Sequence, residues 1–327
     1  MTGAADPMEA LRRSADRARL APSIHNTQPW RFVVGPTALE LHADEQRRLQ
    51  VIDPQGRQLL LSGGCALLNA RVSLAADGYD ARVDRFPDVS RPQLLARITL
   101  PAARRERVSL ADLDAAIPRR HTNRRRFAAE PVPAALVQTL QKAAAAEGAA
   151  LIAVTDAQQR AVVAELLREA NRIEEADPAY RMELARWTTD DLRRRDGVPA
   201  LAVPYRHGQA GTDLPIRDFD PRGRGWLPAD PDSDQNQCLL LLASTSNDRA
   251  SWLRAGEGLE RVLLIATREA YAASPFSQLI EVAQTNRRLR QQLKLNVHPQ
   301  LLLRLGRAPA ASAVPRRPLE DMLTETP

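Results

Sequence analysis

The chain has few of the residues that bind metal ions or form disulfides. Cys65 and Cys238 are its only cysteines among 327 residues, and both lie in apolar stretches. Two isolated cysteines supply no zinc site, and the five histidines show no metal-ligand spacing. We therefore expect no metal centre and two free, buried thiols, with one disulfide as the alternative.

Long apolar runs are missing as well. The longest, Cys238 to Ala243, is far too short to span a bilayer. The chain does not open with a basic segment followed by an apolar stretch, so we expect no secretory signal, no membrane partner and a cytoplasmic location. With 44% hydrophobic and 26% charged residues, the chain has ample material for two ordinary domains or one large one.

Aromatic residues and lysine are scarce, whereas arginine is abundant. Aromatic residues make up 4% of the chain, and zinc-finger spacing is absent, so we expect no nucleic-acid partner. The net charge is +6, and Lys142 and Lys294 are the only lysines. Because a guanidinium binds phosphate with a planar fork of donors, this composition favours an anionic ligand. The sequence also lacks a P-loop, a nucleophile elbow and a Gly-x-Gly-x-x-Gly motif after a strand.

Two segments of the chain recur in the same order. Residues 64–79 resemble residues 256–271 at an offset of 192, and residues 92–97 resemble residues 299–304 at an offset of 207. The 15 additional residues predict an insertion between a helix and a strand of the second copy. A period this long indicates two similar lobes, which commonly pack about a pseudo-two-fold axis.

The predicted elements mix strands and helices, which indicates an α+β fold with central sheets flanked by helices. The patterns predict a first helix that ends before Pro22, strands at residues 30–34, 38–43 and 149–154, and a helix at residues 157–174. We place the first lobe at residues 1–105 and the second at residues 106–327. Residues 205–236 are rich in glycine, proline and aspartate, so we expect a lid-like insertion there.

The loop at residues 21–30, Ala-Pro-Ser-Ile-His-Asn-Thr-Gln-Pro-Trp, concentrates small polar side chains between the first predicted helix and strand. Pro22 and Pro29 each disfavour helix in the residue before them. Such a loop can turn several donors toward one ligand, and the alternative is a capped helix end followed by a core tryptophan. We interpret His25 as forming a structural hydrogen bond, with a substrate contact as the alternative.

A cluster of arginines lies at residues 119–126. Arg120, Thr122 and Arg124 alternate, so an extended chain would place their side chains on one side. A dianionic phosphate needs several fixed donors, and arginine supplies charge-assisted, often bidentate bonds. The alternative is a solvated basic linker. Phe127, followed closely by two prolines, favours a docked segment instead.

Together these segments resemble the nitroreductase family of flavoproteins. Residues 22–30 are similar to that family's FMN-contacting loop, Pro-Ser-x-x-Asn-x-Gln-Pro-Trp, and residues 120–124 to its Arg-x-Ser/Thr-x-Arg/Lys motif. Phe127 lies one residue later than the family's usual aromatic. Each motif occurs in one copy only, whereas the family builds each site from two subunits. The resemblance therefore implies a fused, Acg-like pseudo-dimer that binds a single FMN between its two lobes.

The resemblance also implies which residues contact the flavin. Arg120 would bind the phosphate, Thr122 the phosphate or ribityl chain, and Arg124 the pyrimidine edge of the ring. The turn that contains Ser277 would place a backbone amide near flavin N5, and the basic C-terminal segment would reach the phosphate. The expected contacts are Pro22, Ser23, Ile24, Asn26, Gln28, Arg120, Thr122, Arg124, Pro275, Phe276, Ser277, Arg316 and Arg317.

The activity that the resemblance implies is an NAD(P)H-dependent FMN oxidoreductase. Electrons would pass through FMN to a small electrophile such as a nitroaromatic or a quinone, with no catalytic side chain and with the nicotinamide bound transiently. One alternative is a protein that sequesters FMN under a closed lid with little or no turnover. Another is an arginine-rich nucleic-acid binder on a relic flavin fold. We expect a monomer, because the chain would contain both halves of the family's dimer.

Overall fold

The described residues form two large β-sheets and a small one made of two strands, with helices packed around them, which confirms the α+β prediction. The computed structural model describes residues 6–103, 105, 108–125, 127–191, 193–199, 202, 214–215, 217–219 and 237–326. The helices are α1 (Pro7–Ala18), α2 (Arg57–Ala76), α3 (Ala134–Ala146), α4 (Ala157–Ala176), α5 (Pro178–Arg186), α6 (Arg249–Arg268), α7 (Gln278–Glu281) and α8 (Ala283–Gln292). The strands are β1 (Trp30–Val34), β2 (Ala38–Ala43), β3 (Arg82–Arg85), β4 (Leu94–Thr99), β5 (Ala150–Ala153), β6 (Thr188–Thr189), β7 (Val198–Pro199), β8 (Cys238–Ser244), β9 (Ala272–Phe276), β10 (His298–Gly306) and β11 (Leu323–Glu325).

Local sequence explains where these elements begin and end. Proline occupies the first turn of α1, where a missing N–H costs no helical bond. Asp156 caps α4 by accepting from the Gln159 N–H, and Asp248 caps α6 by accepting from the Ser251 N–H. Strand β2 alternates half-buried and buried residues, the period of a strand with one face on the core. The predicted strands and helices in these regions are confirmed.

The two sheets repeat one strand order. The order β1-β2-β4-β3 in the first sheet corresponds to β5-β8-β10-β9 in the second, and every neighbouring pair within these sets is antiparallel. Helices α2 and α6 both have 20 residues and begin 192 positions apart, the offset found in the sequence. The second copy has extra elements between equivalent strands: α4 to β7 between β5 and β8, and α7 and α8 between β9 and β10.

Helices α2 and α6 touch through a pair of glycines. A Cβ on Gly64 would lie 2.0 Å from the Leu253 carbonyl oxygen, and a Cβ on Gly256 would lie 2.1 Å from the Leu61 carbonyl oxygen. Both pairs of positions differ by 192, so the two contacts are equivalent by the internal repeat. The two helices therefore contact each other at positions that are equivalent in the internal repeat, and only glycine permits so close an approach.

One hydrophobic core serves both halves of the chain. Its buried members include Leu11, Phe32 and Leu67 from the first half and Leu264 and Leu303 from the second. Strand β11 also returns to the first half, where it pairs in parallel with β1. Because the two halves share a core and the C-terminus returns to the first half, no clear division separates the lobes. The lobe boundary between residues 105 and 106 therefore stays a prediction.

Neither cysteine forms a disulfide, and the apolar helix α2 lies inside the protein. Cys65, in α2, is buried, Cys238, which opens β8, is half-buried, and both are free. Among the described residues, α2 has the length and apolar composition of a membrane span, and 89% of its most apolar window is buried in the protein. Such burial is typical of a core helix.

Candidate functional site

Two adjoining cavities lie where α2, α6 and β9 meet the loop at residues 22–28. The larger encloses about 790 Å³, its open mouth included, and the smaller about 410 Å³. Both are lined by Pro22, Ser23, Thr122 and Arg124, so they are continuous at these residues.

The loop at residues 22–28 holds an unusual backbone conformation. His25, Asn26 and Gln28 all have positive φ angles, of 45°, 55° and 49°. Each such conformation costs about 1–3 kcal/mol for a residue other than glycine and clusters at ligand sites. The Ser23 hydroxyl supports the turn by accepting from the Gln28 N–H at 2.9 Å. Ser62 of α2 anchors it by accepting from the Ile24 N–H at 3.2 Å.

Two predicted flavin contacts lie outside the cavity walls. The Gln28 amide donates to the Arg195 carbonyl at 2.9 Å and accepts from the Arg317 N–H at 2.8 Å. The Arg317 guanidinium donates to the Asp321 carbonyl at 2.8 Å. Neither Gln28 nor Arg317 lines a cavity. Their hydrogen bonds instead join the 22–28 loop to the C-terminal segment behind the site.

Asn26 lies in the wall of the smaller cavity, as expected for a ligand-contacting loop. Its amide donates to the Gly197 carbonyl at 3.0 Å and to the Pro315 carbonyl at 3.1 Å. Its Oδ1 has no hydrogen-bond partner among the described residues. The predicted core tryptophan at the end of the loop, Trp30, is fully buried.

The arginine-rich segment is docked against the second sheet. A short 3-10 segment, Ala111–Arg119, ends just before Arg120, and Thr122 forms a parallel bridge with Ala273 of β9. Phe127 is buried and lies 4.1 Å from the guanidinium carbon of Arg304. This extended course brings Arg120 to the smaller cavity and Thr122 and Arg124 to both. The prediction of a docked segment is confirmed.

The smaller cavity brings positive charges together. Buried Arg120 and half-buried Arg316 line it, and the Glu260 carboxylate lies near them. Burial, with the nearby Arg120, lowers the pKa of Arg316 to about 9. Burial, with Arg217, lowers the pKa of Arg124 to about 10. Cations that are destabilised by burial and by one another fit an anionic ligand.

The segment after α6 that lines the larger cavity is strand β9 and the residue after it, whereas the sequence predicted a turn there. Pro275, Phe276 and Ser277 lie in its wall, as the family resemblance implies, and Ile24 faces them from the 22–28 loop. Further wall residues are Gln58, Leu61, Ser62, Cys65, Leu259, Ser274, Gln278 and Leu301. No sequence motif predicted these positions, because they come together only when α2 and α6 pack.

Arg217 is a site residue without a sequence signal. It is buried, lines the larger cavity and donates to His25 Nε2 at 2.7 Å. It also pairs closely with Glu281 and lies 3.5 Å from a Glu174 oxygen. Since a guanidinium only donates, His25 accepts at Nε2 and carries its proton at Nδ1. Burial lowers the pKa of His25 well below its usual value, and Arg217 and Arg124 lower it further.

His25 therefore forms the structural hydrogen bond that we predicted, and because it also lines the larger cavity, a substrate contact stays a prediction. Phe219 lies against it, with the two rings edge to face at 5.5 Å, and the Arg124 guanidinium carbon lies 4.9 Å from the Phe219 ring. Arg217 and Phe219 both belong to the predicted insertion at residues 205–236. Most of that insertion lies outside the described residues, and its action as a lid stays a prediction.

Comparisons with known proteins give relatives over nearly the whole chain. No family model matches the chain. A Mycobacterium tuberculosis H37Rv protein, provisionally named an NAD(P)H nitroreductase, is 37% identical over 318 residues, which cover 96% of this chain and 90% of the relative. A second protein of that strain, acg, with the same provisional name, is 30% identical over 326 residues, 96% of this chain and 95% of the relative.

Solved structures are similar at lower identity. A nitroreductase with bound FMN from Desulfitobacterium hafniense is 14% identical with a TM-score of 0.42 and covers 66% of this chain and 98% of its own. The FMN- and NADPH-dependent nitroreductase NfnB from a Sphingopyxis strain is 18% identical with a TM-score of 0.42 and covers 65% and 97%. On the sequence identity to its full-length relatives, the chain belongs to the NAD(P)H nitroreductase family.

Proposed function

We propose that the chain binds one FMN in the adjoining cavities and acts as an NAD(P)H-dependent oxidoreductase. The observation that carries this proposal is the pair of guanidiniums, buried Arg120 and half-buried Arg316, beside Thr122 at the cationic end of a larger pocket. A phosphate ester attached to a large planar ring needs that combination of charge and space. Relatives named as NAD(P)H nitroreductases support a nicotinamide nucleotide as the electron donor.

The residues divide the binding task by chemistry. Arg120, Arg316 and Thr122 would hold the phosphate, since they offer fixed donors in a buried setting. Arg124 would stabilise negative charge that develops on a bound ring, because it is half-buried and lines both cavities. When bound, FMN supplies the hydride and electron chemistry.

The wall of the larger cavity shields the reacting end of the site. Leu61, Leu259, Leu301 and Phe276 give it an apolar surface that excludes water. The segment at Ser277 presents backbone to the same space. The acceptor would be a small electrophile such as a nitroaromatic or a quinone, which can occupy the space beside a planar ring.

The Arg120→Ala variant tests the phosphate site. Loss of about two hydrogen bonds to a charged group should weaken FMN binding roughly 10²–10⁴-fold. Arg119→Ala is the matched control, because Arg119 is exposed and donates to the Ala115 carbonyl within its own turn. Titration of flavin-free protein with FMN, followed by flavin fluorescence, measures both affinities. An Arg120→Ala protein that purifies with a full complement of flavin would exclude Arg120 from the site.

Sequestration of FMN is a second candidate function, and one observation supports it. Arg217 and Phe219, from the predicted lid, are already buried in the cavity wall, and Arg217 is fixed by two carboxylates. Anaerobic mixing of the flavin-loaded protein with NADH or NADPH separates the two functions. An oxidoreductase loses its flavin absorbance within seconds, whereas a protein that only stores FMN stays yellow.

A further inference from the structure

A buried carboxylate lies behind the cationic end of the site without lining either cavity. Glu260, in α6, is fully buried, and its Oε1 lies 3.4 Å from Arg120 Nε. Among the described residues, Arg120 Nε makes no hydrogen bond, and the Glu260 carboxylate makes no well-formed one, with the Asn69 side chain as a weak partner. The two groups are close enough to attract each other strongly and yet form no hydrogen bond.

The other bonds of the cluster explain this weak pairing. Arg120 donates to the Leu20 carbonyl at 3.3 Å, and Arg316 donates to the Ala21 carbonyl at 3.3 Å and the Val314 carbonyl at 2.9 Å. Backbone carbonyls therefore orient both guanidiniums. A buried ion pair repays its desolvation only when its geometry is good and its remaining donors and acceptors are bonded. The Arg120–Glu260 pair meets neither condition.

Charged and titratable groups reach Glu260 from every side. Arg120 approaches from the end of the 3-10 segment and Arg316 from the C-terminal segment, while Cys65 and Asn69 face it from α2. The equivalent position in the first half, 192 residues earlier, is Leu68, which is also buried. Of these two equivalent positions, only the one on α6, the helix next to the two guanidiniums, carries a carboxylate.

We propose that Glu260 is the internal counter-ion of the phosphate site, so that an ionised Glu260 and an anionic ligand compete for Arg120 and Arg316 and the ligand binds together with a proton. The identity of the anion as the FMN phosphate rests on the proposed function. The competition itself depends only on the placement of one buried carboxylate beside two guanidiniums, of which Arg120 is buried and Arg316 half-buried.

The direction of the linkage follows from the charges. Burial raises the pKa of Glu260 to about 7, against the opposing effects of Arg120, Asn69 and Arg316. A bound phosphate adds negative charge nearby and raises that pKa further, so binding takes up a proton. Affinity for the anion should then fall as the pH rises above about 7, because more ligand-free protein has to be protonated first.

The Glu260→Gln variant provides the test, since it removes the charge and keeps the shape. Flavin-free wild-type and variant proteins are titrated with FMN and with riboflavin at pH 6.0 and 8.5. At pH 8.5 the variant should bind FMN on the order of tenfold more tightly than wild type. At pH 6.0 the gain should be smaller, and riboflavin affinity should not change. Glu269→Gln is the matched control, because Glu269 is an exposed carboxylate at the end of the same helix.

The outcomes separate this inference from the proposed function. Because ionisation of the FMN phosphate itself affects both proteins equally, the ratio of their affinities isolates Glu260. Equal or weaker FMN binding by the variant at both pH values, or an equal gain for riboflavin, would overturn the inference. A wild-type protein that binds no FMN would instead overturn the proposed function, and titration with inorganic phosphate would then test the same competition.

A second measurement needs no variant and so does not depend on its folding. Calorimetric titration of flavin-free wild type with FMN at pH 7.5, in two buffers of different ionisation enthalpy, gives the number of protons exchanged. Net uptake of a large fraction of one proton is expected. No uptake, or net release, would contradict the role of Glu260.

Discussion

On α2, Cys65 lines the larger cavity, whereas the residue 192 positions later on α6, Glu257, is buried in ion pairs. Glu257 pairs with Arg71 and with Arg85, each at 2.6 Å. The strand pairing makes Arg85 of the first sheet equivalent to Pro275 of the second sheet. Pro275 lines the cavity. The same backbone arrangement is thus open at one location and filled by side chains at its counterpart.

The two locations also differ in how well their buried charges are matched. Glu257 accepts from Arg71 and from two nitrogens of Arg85, so its charge is fully bonded. At the candidate site, two guanidiniums share one poorly bonded carboxylate. A matched cluster stabilises the fold, whereas an unmatched one leaves binding energy for a ligand. This difference supports the expectation of one FMN per chain.

The largest expected effect tests the contact that relates the two halves. Gly64→Ala would place a Cβ 2.0 Å from a backbone carbonyl of the facing helix, which cannot move without separating α2 from α6. We expect a loss of about 4 kcal/mol or more in the free energy of unfolding. Gly258→Ala is the control, because its Cβ would lie 3.0 Å from the Ala149 methyl group and no nearer than 3.5 Å to a described backbone atom outside its own helix. A Gly64→Ala protein with wild-type urea stability would refute the close contact.

A smaller effect is expected where ion pairs fill the counterpart of the site. Arg85→Met removes two hydrogen bonds to a buried carboxylate and should destabilise the protein by about 2–3 kcal/mol. Arg82→Met, on the same strand, removes an exposed pair with Asp84 and should change stability by less than about 0.5 kcal/mol. Urea denaturation measures both. Similar stabilities for the two variants would show that the Glu257 cluster contributes little.

The smallest expected effect concerns Glu174, which approaches the candidate site from the insertion in the second half. Burial and the nearby Glu281 raise the pKa of Glu174, and its Oε2 has no hydrogen-bond partner in the described part of the chain. The folded protein therefore holds this proton more tightly than the unfolded chain does. Stability from this group is present below the unfolded pKa, near 4.5, and is lost as the pH rises through the higher folded value.

Glu174→Gln should remove that pH dependence. We expect the wild type to lose about 1–2 kcal/mol more than the variant in unfolding free energy between pH 5 and pH 8. Glu9→Gln is the control, since Glu9 is exposed in α1. Urea denaturation at both pH values measures the difference. Parallel curves for wild type and Glu174→Gln would mean that Glu174 keeps the same proton affinity in the folded and unfolded chain.

Sequence patterns predicted those site residues that lie within continuous motifs. Ser23, Asn26, Arg120, Thr122 and Arg124 are near one another in the chain or belong to a recognisable spacing, and the structure brings all five to the two cavities. The same motifs could not distinguish a side chain that lines a cavity from one that supports its wall. Gln28 fits the motif perfectly but turns its amide toward the C-terminal segment.

Residues that act through distant contacts escaped the sequence-based reasoning. Arg217 meets His25 and Glu281 across separations of 192 and 64 residues, within a glycine-rich insertion that carries no periodic pattern. Glu260 looks like an ordinary residue of an amphipathic helix until its burial beside Arg120 is known. No local rule reports such pairings, since they depend on which helix faces meet.

The amino-acid sequence by itself determined the duplicated α+β plan, the family and the two half-site motifs, because periodicity, turn residues and repeated segments are local properties of the chain. Tertiary packing alone decided that one of two equivalent locations is a cavity while the other is closed by arginine–glutamate pairs. That outcome depends on the volume and charge that remain after α2 and α6 meet at Gly64 and Gly256. Those quantities exist only once the two helices are in contact.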